Sequence, residues 1–221
     1  MTFSLAGRCA RTGMLGGVIA TSSPAVGSRC LYARAGLGVV LTQNRTDPRL
    51  GPRGLDLLAG GCSPAATIAA LVASTPHAGW RQLAVLDRAG AAAHFSGEHI
   101  LSRHAGVTGV DCVAVGNILR DAAVPAAMVA AFAGAAALDL PARLLAALEA
   151  GDAAGGEELP LRSAALLVVD RELFAYADLR VDAAPSPIAA LRGLWEEYAP
   201  EAEEYVTRAL DPDRCGAPRA A

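Results

Sequence analysis

The sequence predicts an α+β fold: an αββα four-layer sandwich in which two antiparallel sheets stack face to face and helices cover both outer faces. Three observations point there. Strands and helices arrive in blocks, as strands, helices, strands, helices, strands and a closing helix, which argues against a parallel βαβ winding. Most strand candidates are joined in pairs by short turns. Several are near-continuous apolar runs, which require cover on both faces.

The first block holds strand patterns over 2–8 (TFSLAGR), 16–22 and 37–43, with Gly13 turning the first hairpin and SSPAVGSRCLYARAG bridging to the third strand. Two helices follow. LGPRGLDLLAGG sets Leu50, Leu55, Leu57 and Leu58 over two turns and stops at Gly60 and Gly61, while SPAATIAALVAS opens with Ser63 as N-cap and Pro64 in the first turn. Strand patterns return in RQLAVLD, in AAAHFSG after a turn at 88–90, and in VDCVAVGN after a polar loop. The helices VPAAMVAAFAGA and LPARLLAALEAG come next, then the strand pair SAALLVVD and FAYADLRVD, and the amphipathic helix PSPIAALRGLWEEYA.

A length of 221 residues suits one layered domain, expected over 1–198, followed by an acidic and proline-punctuated extension over 199–221 that frays towards its end. The hydrophobic fraction of 53% with only 5% aromatic residues describes a core of small, closely packed side chains. A net charge of −3 and the absence of any basic patch interleaved with aromatics exclude nucleic acid as the expected partner. All 19 basic residues are arginine, so no lysine can act as base, Schiff-base former or phosphate-loop cation.

Cys9, Cys30, Cys62, Cys112 and Cys215 are odd in number, scattered and free of C-x-x-C spacing. They read as small buried hydrophobes in a reducing compartment. No signal-peptide pattern opens the chain, and the richest apolar stretch, 124–148, is broken by Gly134, Asp139, Pro141 and Arg143, so a cytoplasmic location without membrane contact is expected.

Dinucleotide, P-loop and nucleophile-elbow signatures are absent. His94, His99 and His104 recur every five residues, which fits neither a helix face nor one strand face. They read as a polar loop, and neither metal nor cofactor is expected. Thr2 carries more chemistry. Its small side chain permits removal of Met1, which leaves a free α-amine, of ordinary pKa about 7.7 to 8, beside a hydroxyl. Nucleophile and base would then share one residue, although many chains begin Met-Thr without using it.

The stretches TFSLAGR, GGVIATSSPAVGSR, ARAGLGVVLTQN, LGPRGLDLLAGG, RQLAVLD, VAVGNIL, LLAALEAGDAAGG, SAALLVV, DLRVD and PSPIAALRGL resemble the bacterial domain-of-unknown-function 1028 family from Thr2 to about Leu194. That resemblance implies the N-terminal-nucleophile (Ntn) hydrolase-like fold and acyl transfer to the first residue of the processed chain. By the same resemblance Thr2 is the nucleophile, and Ser22 and Ser23 are polar residues beside it. Arg34 falls where related folds keep a lysine, and could hold the α-amine pKa down by like charge. Asn117 is a candidate oxyanion donor.

The expected substrate is a small amide. Arg53 and Arg180, with Arg34, are candidate clamps for a substrate carboxylate. The chain departs from the family at Cys9 and Ala10, where an acidic residue is usual, and in the loops over 98–106 and 155–163, the second carrying Glu157, Glu158 and Arg162 in altered spacing. These departures leave a rival reading open, a non-catalytic binding or scaffold protein on the same fold. Trp195, Tyr198 and Tyr205 form an aromatic strip that a second copy of the chain could cover.

Overall fold

The structure, a computed structural model, describes residues 2–215. In chain order the elements are β1 (Thr2–Arg8), β2 (Leu15–Thr21), α1 (Gly27–Cys30), β3 (Leu31–Arg34), β4 (Gly38–Asn44), α2 (Leu50–Ala59) and α3 (Pro64–Ala73). There follow β5 (Arg81–Asp87), β6 (Ala92–Ser96), β7 (His104–Gly109), β8 (Cys112–Asn117), α4 (Val124–Gly134) and α5 (Leu140–Ala153). The chain closes with β9 (Ser163–Val169), β10 (Ala177–Val181), α6 (Pro187–Tyr198) and α7 (Ala202–Leu210).

Ten strands make two sheets, ordered β10-β9-β2-β1-β8-β7 and β3-β4-β5-β6, and every strand pair is antiparallel. Three apolar layers then define four structural ones. Phe3, Leu5, Val18 and Leu166 pack against Met128, Phe132, Leu144, Leu148 and Leu191 of the helices α4 to α6. Ala6, Leu15, Ile19, Val113 and Val115 meet Val39, Leu41, Ala84 and Leu86 between the sheets. Val40, Leu83 and Val85 cover Leu55, Leu58, Ile68 and Leu71 of α2 and α3. This is the αββα sandwich.

The period-two alternation of a strand decides which residues face which layer. In β1, Phe3 and Leu5 look towards the helices, so Thr2, Ser4 and Ala6 look between the sheets. Gly7 lies on the helix side, where a methyl group would stand 2.7 Å from the Phe132 ring and 3.1 Å from Leu144; glycine at this position lets α4 and α5 approach the sheet. The helix starts follow local chemistry: Ser63 accepts from the Ala66 amide at 3.2 Å and Asp139 from the Ala142 amide at 2.9 Å.

Two strands are absent from the sequence reading. β3 lies within the bridging segment and β7 within the polar loop, and each is a sheet edge with mostly half-buried residues, so neither carries an apolar signal. A helix, α7, also forms within the C-terminal extension. Residues 216–221, the end of that extension, lie outside the described residues, as does Met1. Cys9, Cys30 and Cys112 are buried as expected, but Cys62 and Cys215 are half-exposed; all five are free thiols. Trp195 is core, and its ring stacks in series with Tyr198 and Tyr205 at 6.3 and 5.1 Å. Among the described residues no helix is long and apolar enough to cross a membrane.

Candidate active site

The inter-sheet face changes character at one end. Moving along it, Ala6 gives way to Ser4 and Thr2 in β1, Leu41 to Gln43 in β4, Ala84 to Gln82 in β5, and Val115 to Asn117 in β8. Each of these polar residues is buried: Ser4, Gln43, Gln82 and Asn117 are fully enclosed, and Thr2 is 5% exposed. Four strands thus bring polar side chains to one spot between apolar sheets, where each must find a partner.

Gln82 is the hub. Its Nε2 donates to the main-chain carbonyl of Gly116 at 2.9 Å and to Ser96 Oγ at 3.0 Å, with the Ala105 carbonyl at 3.3 Å. A carbonyl accepts only, so the amide orientation of Gln82 is fixed by the main chain. Its Oε1 consequently faces the other way and accepts from Gln43 Nε2 at 2.7 Å and Asn117 Nδ2 at 3.0 Å. Gln43 in turn presents Oε1 to the Ser4 hydroxyl at 2.7 Å and lays Nε2 3.5 Å from the Thr2 carbonyl. The order propagates from the main chain of β8 to the first strand. One acceptor is left over: Asn117 Oδ1 is buried with no hydrogen-bond partner among the described residues.

A second string of hydroxyls runs from Thr2 along the opposite neighbour. Thr2 Oγ1 donates to Thr21 Oγ1 at a long 3.4 Å, and Thr21 Oγ1 lies 3.5 Å from Ser23 Oγ. Ser23 Oγ accepts from Arg29 Nη2 at 2.7 Å, and Ser163 Oγ bonds the Ser23 carbonyl at 2.7 Å while accepting from the Val26 amide at 3.1 Å. Arg29 also donates to the carbonyls of Pro24 and Ala25 at 2.6 and 2.7 Å. The loop after β2 is therefore tied to β9 and closed by a guanidinium.

Glu157 completes the surroundings. A bridge between Leu119 and Glu157, with Arg120 Nε on the Glu157 carbonyl at 2.9 Å, fixes its backbone beside the exit of β8. Its side chain points inward and is 3% exposed. Burial pushes the carboxyl up to about 7, opposed by the Ser22 hydroxyl and amide and by the positive chain terminus. Neither carboxyl oxygen sits in a well-formed hydrogen bond among the described residues. The polar contact to Ser22 is thus weak, and desolvation governs this group.

Backbone strain gathers at the same end. Four of the five non-glycine residues with positive φ among the described residues lie here, in the loops after β2 (Ala25, 54°) and β8 (Ile118, 54°), at the last residue of β4 (Asn44, 70°) and in the loop before β5 (His77, 64°), while the fifth, Asp111 (58°), turns β7 into β8 at the other end. A β-branched residue such as Ile118 in this region costs about 1 to 3 kcal/mol, and such conformations concentrate where a site must be shaped.

Of the residues singled out from sequence, the structure brings together Thr2, Ser22, Ser23 and Asn117. Arg34 stands elsewhere: it pairs with Gly38 across β3 and β4, five residues along β4 from Gln43 or about 17 Å, and its guanidinium meets Asp56 at 3.1 Å. Arg53 lines a separate cavity of about 270 Å³ with Asp47, Arg49, Leu50, Ser74, Thr75 and Pro76. Arg180 lies on β10, two strands beyond β1's neighbour β2 in the sheet order, and forks onto Asp178 at 2.8 Å through both Nε and Nη2. A larger cavity of about 670 Å³ between α5 and α6, with Glu149, Asp152 and Arg192 in its wall, contains no residue of the Thr2 network.

Sequence reasoning missed Gln43, Gln82 and Arg29 as site residues. The first two had a readable signal, since each is a polar residue in the inward register of an otherwise apolar strand, at its site-facing end. Arg29 had none, because its position depends on the turn at Ala25.

The model of a family described as a family of unknown function (DUF1028) matches residues 2–191. A crystal structure of a protein of that family from Silicibacter pomeroyi is 34% identical, covers 90% of this chain and 86% of its own, and superposes with a TM-score of 0.84. Anbu, the ancestral beta-subunit, from Yersinia bercovieri is 10% identical over 91% of this chain and 96% of its own, with a TM-score of 0.43. No curated protein matches the chain.

Proposed function

We propose that this chain, which belongs to the DUF1028 family of unknown function, is an amidohydrolase whose nucleophile is Thr2 after removal of Met1. One observation carries the reading. The residue that would become the N-terminus heads a central strand with its side chain on the inter-sheet face, where four strands gather buried polar groups.

The chemistry follows from that position. With Met1 attached, the Thr2 nitrogen is an amide and has no basicity; once freed, it takes the hydroxyl proton as the oxygen attacks a substrate carbonyl carbon. The resulting ammonium returns the proton to the leaving nitrogen, the C–N bond breaks, and an acyl ester remains on Thr2. Water then attacks that ester with the same amine as base. Asn117 commits one Nδ2 hydrogen to Gln82, and the second supports the oxyanion, where a single donor is typically worth about 2.7 to 4 kcal/mol. Ser23 continues the hydroxyl string and is held by Arg29, while Ser22 faces the Glu157 carboxyl.

Incubating the processed protein with a panel of small amides and searching the N-terminal peptide for an acyl adduct tests the reading. Thr2→Ser should keep the adduct and Thr2→Ala should lose both adduct and turnover; turnover retained by Thr2→Ala removes this residue from the mechanism. The rival, a non-catalytic binding or scaffold protein, is supported by the 5% exposure of Thr2. It requires that no adduct form; a retained Met1 would favour it, and a processed chain alone does not exclude it.

A further inference from the structure

We infer that Glu157 is the carboxylate partner of the Thr2 α-amine, a positioning residue that turns the new N-terminus towards its own hydroxyl. The inference rests on the proposed removal of Met1.

The argument starts from unmet acceptors. Around the head of β1, both oxygens of Glu157, whose polar neighbour is Ser22, and Oδ1 of Asn117 lack a well-formed hydrogen bond among the described residues, and all three only accept when the carboxyl is ionised. Asn117 is the residue paired with Thr2 across the β1–β8 ladder, so their side chains share a face. Glu157 follows two residues beyond Asn117's strand end through its bridge to Leu119, and its polar neighbour is Ser22, one residue past the end of the other strand flanking β1. Orphaned acceptors on both flanks of one chain end call for a group with several donors. An α-ammonium has three.

The guanidinium groups near Glu157 are engaged elsewhere. Arg120 directs Nε and Nη2 at the carbonyls of Glu157 and Glu158, Arg103 donates to the carbonyls of Leu119 and Arg120, and Asp152 of α5 lies beside Gly156. Burial raises the Asp152 carboxyl as well, which disfavours a second negative charge there. Glu157 titrates near 7, close to an ordinary α-amine, so the pair holds one proton between them around neutrality. In the carboxylic acid–amine form the nitrogen lone pair is free to take the hydroxyl proton.

The chain supplies an unusually clean test, because without lysine its α-amine is the only amine. Brief labelling with acetic anhydride across a pH series, read on the N-terminal peptide by mass spectrometry, gives the titration of that amine. Replacing the carboxyl in Glu157→Gln should lower the midpoint by about one unit or more. At a pH below both midpoints, labelling should then be roughly tenfold faster, with Glu157→Asp falling between. Coincident midpoints in folded Glu157→Gln and the parent overturn the inference and leave the Thr2 reading standing. Should Glu157→Gln not fold, the parent curve decides: coupled groups give a two-step profile, and a single step overturns the pairing. Label found on Met1 instead defeats the Thr2 reading itself, and the pairing with it.

Discussion

Gln82→Leu is the substitution that most sharply tests the polar hub between the sheets. Leucine is close in volume to glutamine, so the cavity term is small and the cost is one of lost hydrogen bonds. Removing Oε1 leaves Gln43 Nε2 and Asn117 Nδ2 without their 2.7 and 3.0 Å acceptor in a region with no solvent access. Each buried orphan costs about 1 to 3 kcal/mol, for a sum of roughly 2 to 6 kcal/mol. The carbonyls of Gly116 and Ala105 also lose a donor, but both residues sit in paired strands and the carbonyl cost is smaller. For a chain of this length about 4 kcal/mol lowers Tm by roughly 8 to 16 °C. Urea unfolding at fixed pH, followed by far- and near-ultraviolet circular dichroism, measures the loss directly. A second measurement isolates the coupling: in the double variant with Gln43→Leu, the Gln43 orphan disappears, so the two costs should fall short of additive by 1 kcal/mol or more. A destabilisation below about 1 kcal/mol, or strict additivity, would refute the hub.

Glu157 gives a pH-dependent prediction of opposite sign to most carboxylates. Its folded pKa, about 7, lies above the ordinary 4.5, so the native state binds the extra proton between those values and stability falls as pH rises through that window. Glu157→Gln should match the parent near pH 4 and be the more stable near pH 8 in urea titrations at the two pH values, by less than the roughly 3 kcal/mol that burial alone implies, because the variant also gives up the carboxylate's hold on the Thr2 ammonium; no gain at the higher pH would contradict the burial argument. Arg143 is 8% exposed and donates from Nε and Nη2 to the Phe132 carbonyl in the last turn of α4, with its guanidinium 3.9 Å from the Phe132 ring centroid. Arg143→Leu should therefore cost about 2 to 3 kcal/mol through the lost C-terminal cap and ring contact, read by thermal unfolding.

The layer order was legible because alternation and helix caps act locally. Ser63 before Pro64, Asp139 before Pro141 and the inward apolar registers of β4, β5 and β8 all state their neighbours within a few residues. β3 and β7 were not legible, since an edge strand buries one side of its ladder and needs no apolar run. Thr2, Ser22, Ser23 and Asn117 were readable as strand ends, and the structure gathers them. Arg34, Arg53 and Arg180 were chosen for charge, yet charge says nothing of place: Asp56 and Asp178 hold two of them, and α2 carries the third to another cavity. Glu157 stood in the sequence as an altered loop spacing; its bridge to Leu119 and the burial of its carboxyl appear only in the structure.

Exposure of the protein to an electrophilic β-lactone, followed by intact-mass and N-terminal peptide mass spectrometry, tests the central claim most directly. The account predicts a chain lighter by one methionine residue, carrying a single acyl group on Thr2 that is absent from Thr2→Ala. A chain that retains Met1, or an adduct that persists in Thr2→Ala, would contradict it.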